Sequence, residues 1–123
     1  MIMKIAMVGY GRMGKEIEQV AKARGHDIVT IDTQCKADFC KIDKESLKDV
    51  NVVIDFTIPN VAVENAKIYN SLGINTVMGT TGWYDKMNEV EEAVKDIGFI
   101  WSGNFSIGVN VFFRIIENAA KII

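Results

Sequence analysis

Three glycines near the start of the chain have the spacing of a phosphate-binding turn. Gly9, Gly11 and Gly14 follow the apolar run 5–8 in a G-x-G-x-x-G pattern. Glycines so placed let the backbone turn tightly, approach a pyrophosphate closely and pack the next helix against its strand. The unpaired N–H groups and the positive end of that helix would then face the phosphate. Because tight turns also need glycine for structure alone, the pattern depends on its surroundings for a functional meaning.

A carboxylate stands where dinucleotide binding requires one. Asp32 ends the apolar run 28–31, about twenty residues after the glycine turn, where it would accept hydrogen bonds from the adenosine ribose hydroxyls. The alternative is that Asp32 only begins a turn. A carboxylate there opposes a 2'-phosphate and Thr33 adds no compensating charge, so NADH is the expected cofactor. Lys36 or Arg12 would have to reach the phosphate for NADPH to bind.

Two later segments extend the predicted site. Gly79, Thr80, Thr81 and Gly82 follow another short apolar run, and would place open backbone and two hydroxyls near the nicotinamide. An ordinary strand-to-helix turn is the alternative. Phe56, Thr57 and Phe105 lie at neighbouring strand ends, where the aromatic rings would cover the cofactor. Packing in the core is the alternative for each of them.

Strand and helix patterns alternate along the chain. The predicted strands are 5–8, 28–31, 52–54, 75–78 and 99–101, and the predicted helices begin near residues 13, 60, 87 and 109. The inward faces of the first, third and last helices are predicted to hold Met13, Ile17, Val20 and Ala21; Met87, Val90, Val94 and Ile97; and Val109, Phe112, Phe113, Ile116, Ala120 and Ile123. Residues 33–50 are predicted to form an irregular surface connection.

This alternation predicts an α/β fold, a Rossmann-like doubly wound parallel sheet in a single domain. The 123 residues, 49% of them hydrophobic, suffice for one core. A net charge of -2 with mixed signs gives no basic surface for nucleic acid. No apolar segment is long enough to span a membrane and no N-terminal signal is evident, so we expect a cytoplasmic protein.

The chain offers no catalytic constellation of its own. Its single histidine, His26, lies in a predicted helix-to-strand turn, and no metal cluster or nucleophile pair is present. Asp55 is expected to cap local backbone amides. Cys35 and Cys40 are predicted to be reduced thiols, with a redox switch as the alternative. The residues alone therefore describe a cofactor module without a proton donor.

Four motifs together resemble one enzyme family. They are Val8-Gly9-Tyr10-Gly11-Arg12-Met13-Gly14, Asp55-Phe56-Thr57-x-Pro59, Gly79-Thr80-Thr81-Gly82 and Asn104-Phe105-Ser106-Ile107-Gly108-Val109-Asn110. Their order along the whole chain resembles dihydrodipicolinate reductase (4-hydroxy-tetrahydrodipicolinate reductase) of bacterial lysine and diaminopimelate biosynthesis. That family uses NADH or NADPH to reduce a cyclic dicarboxylate imine.

The resemblance implies a set of cofactor contacts, a substrate contact and a homotetramer. The implied cofactor contacts are Gly9, Tyr10, Gly11, Arg12, Met13, Gly14, Asp32, Gly79, Thr80, Thr81, Ser102, Gly103, Asn104 and Phe105. Thr81 would also lie near a substrate carboxylate. Many members carry a basic residue where this chain has Thr33, which puts NADPH use in doubt.

The resemblance also predicts a missing half. Family members continue into a second domain with a His-His-x-x-Lys-x-Asp-x-Pro-Ser-Gly-Thr segment, which supplies the proton donor and much of the tetramer interface. We therefore expect residues 1–123 to be a truncated NAD(P)-binding domain, inactive alone, with an exposed apolar patch on its last helix that favours self-association. The alternatives are a free-standing dinucleotide-binding sensor or interaction module, and another two-domain dehydrogenase.

Overall fold

A five-stranded parallel sheet forms the centre of the computed structural model, which describes residues 1–34 and 36–122. The strands are β1 (Lys4–Val8), β2 (Asp27–Ile31), β3 (Val52–Asp55), β4 (Asn75–Met78) and β5 (Phe99–Trp101). They lie in the order β2-β1-β3-β4-β5, and every neighbouring pair is parallel. The predicted α/β, Rossmann-like fold is confirmed.

Helices follow four of the strands. They are α1 (Arg12–Ala23), α2 (Pro59–Ser71), α3 (Met87–Ala93) and α4 (Ile107–Ile122), and a 3₁₀ turn (Tyr84–Lys86) precedes α3. The residue before α2 is extended and Pro59 opens the helix, where its missing N–H needs no partner. Each connection returns the chain to the same end of the sheet, which keeps all strands parallel.

The strand order reverses direction beside β1. β2 lies on one side of β1 and β3 lies on the other, so the connections after β1 and β2 diverge across the sheet. Open α/β sheets bind ligands in the crevice at such a point, beyond the carboxyl ends of the strands. The glycine turn, Asp32 and Phe56 follow β1, β2 and β3 directly and therefore meet at this crevice.

The core lies between the central strands and α2. Met7 of β1 and Val53 of β3 are fully buried. Ala62, Ala66 and Tyr69 of α2 are each at most 1% exposed and pack in the same core. Burial on both faces of the sheet explains why the central strands read as continuous apolar runs.

α1 packs against the sheet through a different face from the predicted one. Gly14 and Ala21 are buried, whereas Met13 and Val20 are 52% and 51% exposed. Because Gly14 has no side chain, the helix backbone approaches the glycine turn directly at this residue and fixes the contact face there. The prediction is wrong for Met13 and Val20 and confirmed for Ala21.

The third helix is shorter than its apolar pattern indicates. α3 ends at Ala93, and the chain reaches β5 through turns rather than further helix. Val90 is buried, and Met87, Val94 and Ile97 are partly buried against the core, as predicted. The apolar pattern thus identified the inward side chains but not the end of the helix.

The connection between β2 and β3 is irregular, as predicted, but not wholly superficial. Ser46 and Leu47 are 2% and 3% exposed. The Ser46 hydroxyl accepts the Asp43 N–H at 3.0 Å, and an Asp43 carboxylate oxygen accepts the Ser46 N–H at 2.8 Å, so this polar turn can be buried. Cys40 is not a free thiol, which contradicts that prediction for this residue, and Cys35 lies outside the described residues.

α4 contributes no buried residue. Val111, Phe112, Phe113, Ile115 and Ile116 are between 49% and 59% exposed, so the predicted inward face is wrong in this chain and the predicted exposed apolar patch is confirmed. Ile123 lies outside the described residues. Among the described helices, none combines the length and apolar character that crossing a membrane needs.

Candidate functional site

The turn from β1 into α1 is closely packed at two of its three glycines. Gly9 has a φ of +89°, and its N–H donates to the carbonyl oxygen of Ile31 at 2.8 Å. A Cβ atom on Gly9 would lie 2.1 Å from the Phe56 carbonyl oxygen, and one on Gly14 would lie 2.2 Å from the Gly9 carbonyl oxygen. Both positions therefore need glycine for the fold itself.

Gly11 differs from the other two because the fold leaves space beside it. A Cβ atom on Gly11 would meet no atom within 4 Å, and its φ of −86° is open to any residue. Gly11 is the N-cap of α1, where no side chain accepts a hydrogen bond from the first-turn N–H groups and no acidic residue lies in the first turn. The helix end is thus an open, electropositive surface that suits an anion.

Asp32 joins the end of β2 to this turn. One carboxylate oxygen accepts the Tyr10 N–H at 2.8 Å and the other accepts the Gln34 N–H at 2.9 Å. A carboxylate has about four acceptor positions, so two remain for other donors. Asp32, the residue predicted to bind the ribose, is therefore fixed in position relative to Tyr10 in the glycine turn.

A cavity of about 470 Å³ opens between these elements. Five of the predicted site residues line it: Gly9, Gly11, Asp32, Phe56 and Thr57. The rest of the wall is largely apolar, with Ile31, Ile42, Ile58, Val61 and Ile68. Its size and mixed lining are those of a small-molecule or cofactor pocket.

Part of this wall was missed at the sequence level. Lys41 and Ile42 come from the connection that was predicted to be plain surface, and Ile58, Val61 and Ile68 come from α2 and the residue before it. The signal for the connection was the apolar pair Phe39 and Ile42 within an otherwise polar stretch. Phe39 forms a parallel bridge with Ile31, which brings the next residues to the cavity.

The predicted nicotinamide segment lies beside Phe56 rather than in the cavity wall. A Cβ atom on Gly79 would lie 2.2 Å from the Phe56 ring, so the ring rests on the glycine backbone. Thr80 is 3% exposed and its hydroxyl is held within the protein by Thr57 and Asp55. Thr81 is exposed. The Thr80 side chain is therefore not available to a ligand, whereas Thr81 is accessible.

The last predicted segment is a tightly bonded loop before α4. The Ser102 hydroxyl donates to the Asn104 carbonyl at 2.8 Å, and the Asn110 side-chain amide donates to the same carbonyl at 2.9 Å. A Cβ atom on Gly103 would lie 3.1 Å from the Tyr84 hydroxyl. Phe105 is 47% exposed and lines a groove along α4 instead of the main cavity. These residues share the carboxyl edge of the sheet with the glycine turn but do not line its cavity.

The charges beside the glycine turn form a surface network. The Lys22 ammonium and the Tyr10 hydroxyl both donate to the Glu18 carboxylate, which lowers the pKa of Glu18 below its ordinary value of 4.5. The same hydrogen bond to Glu18 raises the pKa of Tyr10 above 10.0. Arg12 and Met13 are exposed at the start of α1. The described residues hold no cluster of His, Cys, Asp and Glu arranged for a metal ion.

Comparison with known proteins identifies the family. The family model described as "Dihydrodipicolinate reductase, N-terminus" matches residues 3–105, which is most of the chain. The chain belongs to the dihydrodipicolinate reductase family. The recognition made from the four motifs is thus confirmed, and all the predicted site residues, from Gly9 to Phe105, fall inside the matched region.

Curated relatives of the family cover nearly the whole chain. A 4-hydroxy-tetrahydrodipicolinate reductase of Christiangramia forsetii is 41% identical over 96% of this chain and 48% of the relative. The enzyme of the same name from Archaeoglobus fulgidus is 36% identical over 98% of this chain and 53% of the relative. The chain therefore spans about half the length of these curated relatives.

A solved structure of the family has the same fold. Dipicolinate-bound dihydrodipicolinate reductase from Paenisporosarcina sp. TG-14 matches with a TM-score of 0.74 at 22% identity, over 98% of this chain and 54% of that one. At this identity the likeness concerns the fold alone. It supports the strand order and helix placement that bring the predicted residues of the family to one edge of the sheet.

Proposed function

We propose that this chain is the dinucleotide-binding part of a 4-hydroxy-tetrahydrodipicolinate reductase and that it binds NADH. The open space at Gly11 carries the proposal. The fold packs tightly against Gly9 and Gly14 but puts nothing beside Gly11, and that space adjoins uncapped helix N–H groups. A pyrophosphate needs both features, because its oxygens must approach the backbone closely.

The other residues of the cavity suit the adenosine half of the cofactor. Asp32 keeps acceptor positions for ribose hydroxyls while its bonds to Tyr10 and Gln34 fix its orientation. Ile58 and Val61 offer apolar surface in the same cavity, where a purine ring would be covered. Gly79, Thr81 and the loop 102–105 continue along the same sheet edge, where the nicotinamide would lie.

The proposed preference is for NADH, with NADPH accepted more weakly. Asp32 would face a 2'-phosphate and repel it. Lys41 lines the same cavity and is 81% exposed at its side chain, so it is available to offset part of that repulsion. Its contact with Asp43, at 3.5 Å, is an exposed ion pair of small energetic value.

In the intact protein we propose reduction of 4-hydroxy-tetrahydrodipicolinate to tetrahydrodipicolinate, in lysine and diaminopimelate biosynthesis. The bound nicotinamide would supply hydride. This chain would hold and orient the cofactor, and Thr81 would bind a substrate carboxylate. The length of the curated relatives supports a further segment in the intact protein. We propose that this segment holds the proton donor and the contacts of a homotetramer. We propose that the intact enzyme is cytoplasmic.

Replacing Gly11 tests cofactor binding without disturbing the fold. The free energy of unfolding of Gly11→Ala should lie within about 1 kcal/mol of that of the unchanged protein. The φ of residue 11 suits alanine, and alanine at the N-cap position costs little. Gly108→Ala is the matched control, since this glycine also lies at a helix start and a Cβ atom on it would come no closer than 3.9 Å, to the Ser106 hydroxyl oxygen. Both variants are compared with the unchanged chain by calorimetry and thermal unfolding with NADH.

We expect NADH at a hundredfold excess over its dissociation constant to stabilise the unchanged chain and Gly108→Ala by about 2.7 kcal/mol. Gly11→Ala should lose most of this stabilisation. Equal stabilisation of all three proteins would show that Gly11 is not beside the pyrophosphate. Absence of stabilisation in the unchanged chain would overturn the proposed function.

The proposal also separates an enzyme part from a free-standing binding module. We expect the 123-residue chain to bind NADH without oxidising it when substrate is added, because none of the predicted site residues is a histidine or lysine that could donate a proton. Joined to the remaining half of a curated relative, it should regain turnover. Turnover by the chain alone, or failure of every such fusion that folds, would contradict this assignment.

A further inference from the structure

A fully buried carboxylate lies beneath the candidate site. Asp55 ends β3 and is 0% exposed. One oxygen accepts the Thr57 N–H at 3.1 Å, the Thr57 hydroxyl at 2.7 Å and the Thr80 hydroxyl at 3.0 Å. The other oxygen accepts the Asn65 side-chain amide at 3.1 Å and the Tyr69 hydroxyl at 2.6 Å. The expected capping of a local amide is confirmed, but it accounts for one bond of five.

The donors belong to three separate segments. Thr57 lies in the turn after β3, Asn65 and Tyr69 lie on α2, and Thr80 lies in the turn after β4. Burial, followed by the charge and hydrogen bond of Asp55, raises the pKa of Tyr69 well above 10.0, so this hydroxyl stays protonated and keeps donating. A buried carboxylate is costly unless such donors satisfy it. The three segments are therefore held at fixed spacing by one group.

Two of these segments carry predicted cofactor contacts. Phe56 and Thr57 line the cavity, as does Asn65, and Thr80 lies between Gly79 and Thr81. Thr57 and Thr80 are also joined directly, because the Thr57 N–H donates to the Thr80 hydroxyl at 2.8 Å. A shift of the turn after β3 would therefore also shift the turn after β4, and the reverse.

Aromatic rings link the Thr80 turn to the last predicted site segment, the loop 102–105. The Trp83 indole N–H donates to the Thr80 carbonyl at 2.6 Å. The Trp83 ring meets the Trp101 ring edge-on with centroids 5.6 Å apart, and Trp101 directly precedes the loop 102–105. Trp83 is 1% exposed, so its indole N–H reports on the Thr80 turn from within the fold.

We propose that Asp55 is a positioning residue for the cofactor: its carboxylate fixes the turn 56–57 against the turn 79–81. Because Asp55 is fully buried, it acts through these turns and not by touching the ligand. This inference rests on the proposed dinucleotide binding. It differs from a purely stabilising role, since loss of the bond to Thr80 would then lower NADH affinity beyond any loss of stability.

Two buried threonines provide the test. Thr80→Val removes the hydroxyl that joins Asp55 to the second turn and keeps the shape of the side chain. Thr76→Val is the matched control, because Thr76 is also buried and donates its hydroxyl to a carbonyl, that of Ile74 at 3.1 Å, without contacting Asp55. Thr80→Ser keeps the hydroxyl and is the rescue variant. Asp55→Asn tests the carboxylate itself.

NADH affinity and amide exchange are measured on each variant by calorimetry and NMR. We expect Thr80→Val to raise the NADH dissociation constant about tenfold, the equivalent of one buried hydrogen bond to a charged group, and Thr76→Val less than about twofold. The Thr57 N–H should exchange faster and the Trp83 indole signal should shift in Thr80→Val and Asp55→Asn only. Thr80→Ser should restore both affinity and exchange.

The outcomes separate this inference from the proposed function. If Thr80→Val and Thr76→Val lose equal stability and bind NADH equally well, Asp55 stabilises the fold and does not position the cofactor. The same conclusion follows if Thr80→Ser fails to restore affinity. If the unchanged chain binds no NADH, the proposed function fails, and faster Thr57 exchange in Asp55→Asn, which keeps the Thr80 hydroxyl, would still show that Asp55 couples the two turns.

Discussion

At the scale of single residues, Asp32 carries both a structural and a predicted ligand role. Its two oxygens accept the Tyr10 and Gln34 amides, and Asp32 also lines the cavity. We expect the charge to matter for the choice of cofactor more than for the fold, because neutral asparagine would still accept one of the two amide bonds. Asp32 is thus the residue at which cofactor preference is most directly tested.

We expect Asp32→Asn to raise the NADH dissociation constant about tenfold, since bonds to a charged acceptor are worth more than about 1.4 kcal/mol. NADPH binding should weaken less or improve, because a repulsive charge is removed. Titration calorimetry with both cofactors gives the ratio. Asp27→Asn, at the opposite end of β2, is the control and should leave the ratio unchanged. An unchanged ratio in Asp32→Asn would mean that this carboxylate does not face the ribose.

Glu18 gives a pH-dependent prediction. Hydrogen bonds from Lys22 and then Tyr10 lower its pKa below 4.5 in the folded protein. A carboxyl group with a lowered pKa adds stability above its unfolded pKa, and this stability is lost as the pH falls through the folded value. We expect Glu18→Gln to cost less than about 1 kcal/mol at pH 7 and nothing well below pH 4.5.

Urea unfolding at neutral and acidic pH measures this difference. Glu16→Gln, on the same helix, controls for the general loss of a negative charge. The same cost for Glu18→Gln at both pH values, or a cost that the Glu16 variant shares, would mean that the network with Tyr10 does not contribute to folding.

Sequence spacing predicted the positions of Gly9 and Asp32 at strand ends better than it predicted the contacts around them. Gly9 and Asp32 were predictable because each follows an apolar run that could only be a buried strand. The role of the Thr80 hydroxyl was not predictable, since its partners Thr57 and Asp55 are more than twenty residues away along the chain. Hydrogen bonds between distant turns follow from strand order, which a single sequence does not contain.

At the scale of elements, the contact between α1 and the glycine turn decides how the site is formed. Gly14 lies against the Gly9 carbonyl, so the helix begins immediately above the end of β1. The apolar periodicity of α1 predicted a different contact face because it scores side chains, whereas this contact is made by a residue with none. Met13 and Val20 remain exposed as a result.

Gly14→Ala should destabilise the chain by about 1–3 kcal/mol, because its Cβ would overlap backbone that cannot swing aside. Denaturant unfolding measures the change, and Lys15→Ala at the next, exposed position is the control. Without this close contact, the higher helix propensity of alanine at residue 14 would stabilise α1 by up to about 1 kcal/mol. A stabilised Gly14→Ala protein would therefore contradict the close contact between helix and turn.

At the scale of the whole molecule, the apolar surface of the chain is uneven. The sheet and α2 share a buried core, whereas α4 buries none of its residues although its sequence is strongly apolar. The fold class was predictable because strand and helix patterns alternate along the chain, with only the connection between β2 and β3 lacking a helix in the described residues. The exposure of α4 was predictable only as far as its apolar residues occupy more than one side of the helix.

This exposed surface should make the chain self-associate. Phe112 and Ile116 are 57% and 49% exposed and lie one helical turn apart, so they form one patch with their apolar neighbours. Patches of this kind favour association, since water is released from both surfaces. We expect sedimentation velocity to show a rising average mass between micromolar and millimolar concentration.

The double variant Phe112→Lys and Ile116→Lys should remain monomeric over this range. The pair Glu117→Gln and Asn118→Lys makes the net charge of α4 more positive by the same two units without removing an apolar side chain, and should still associate. If both variants stay monomeric, charge repulsion and not the loss of apolar surface controls association. If the unchanged chain stays monomeric at millimolar concentration, the apolar residues of α4 do not drive self-association. In that case α4 must pack in solution so that these residues are less exposed.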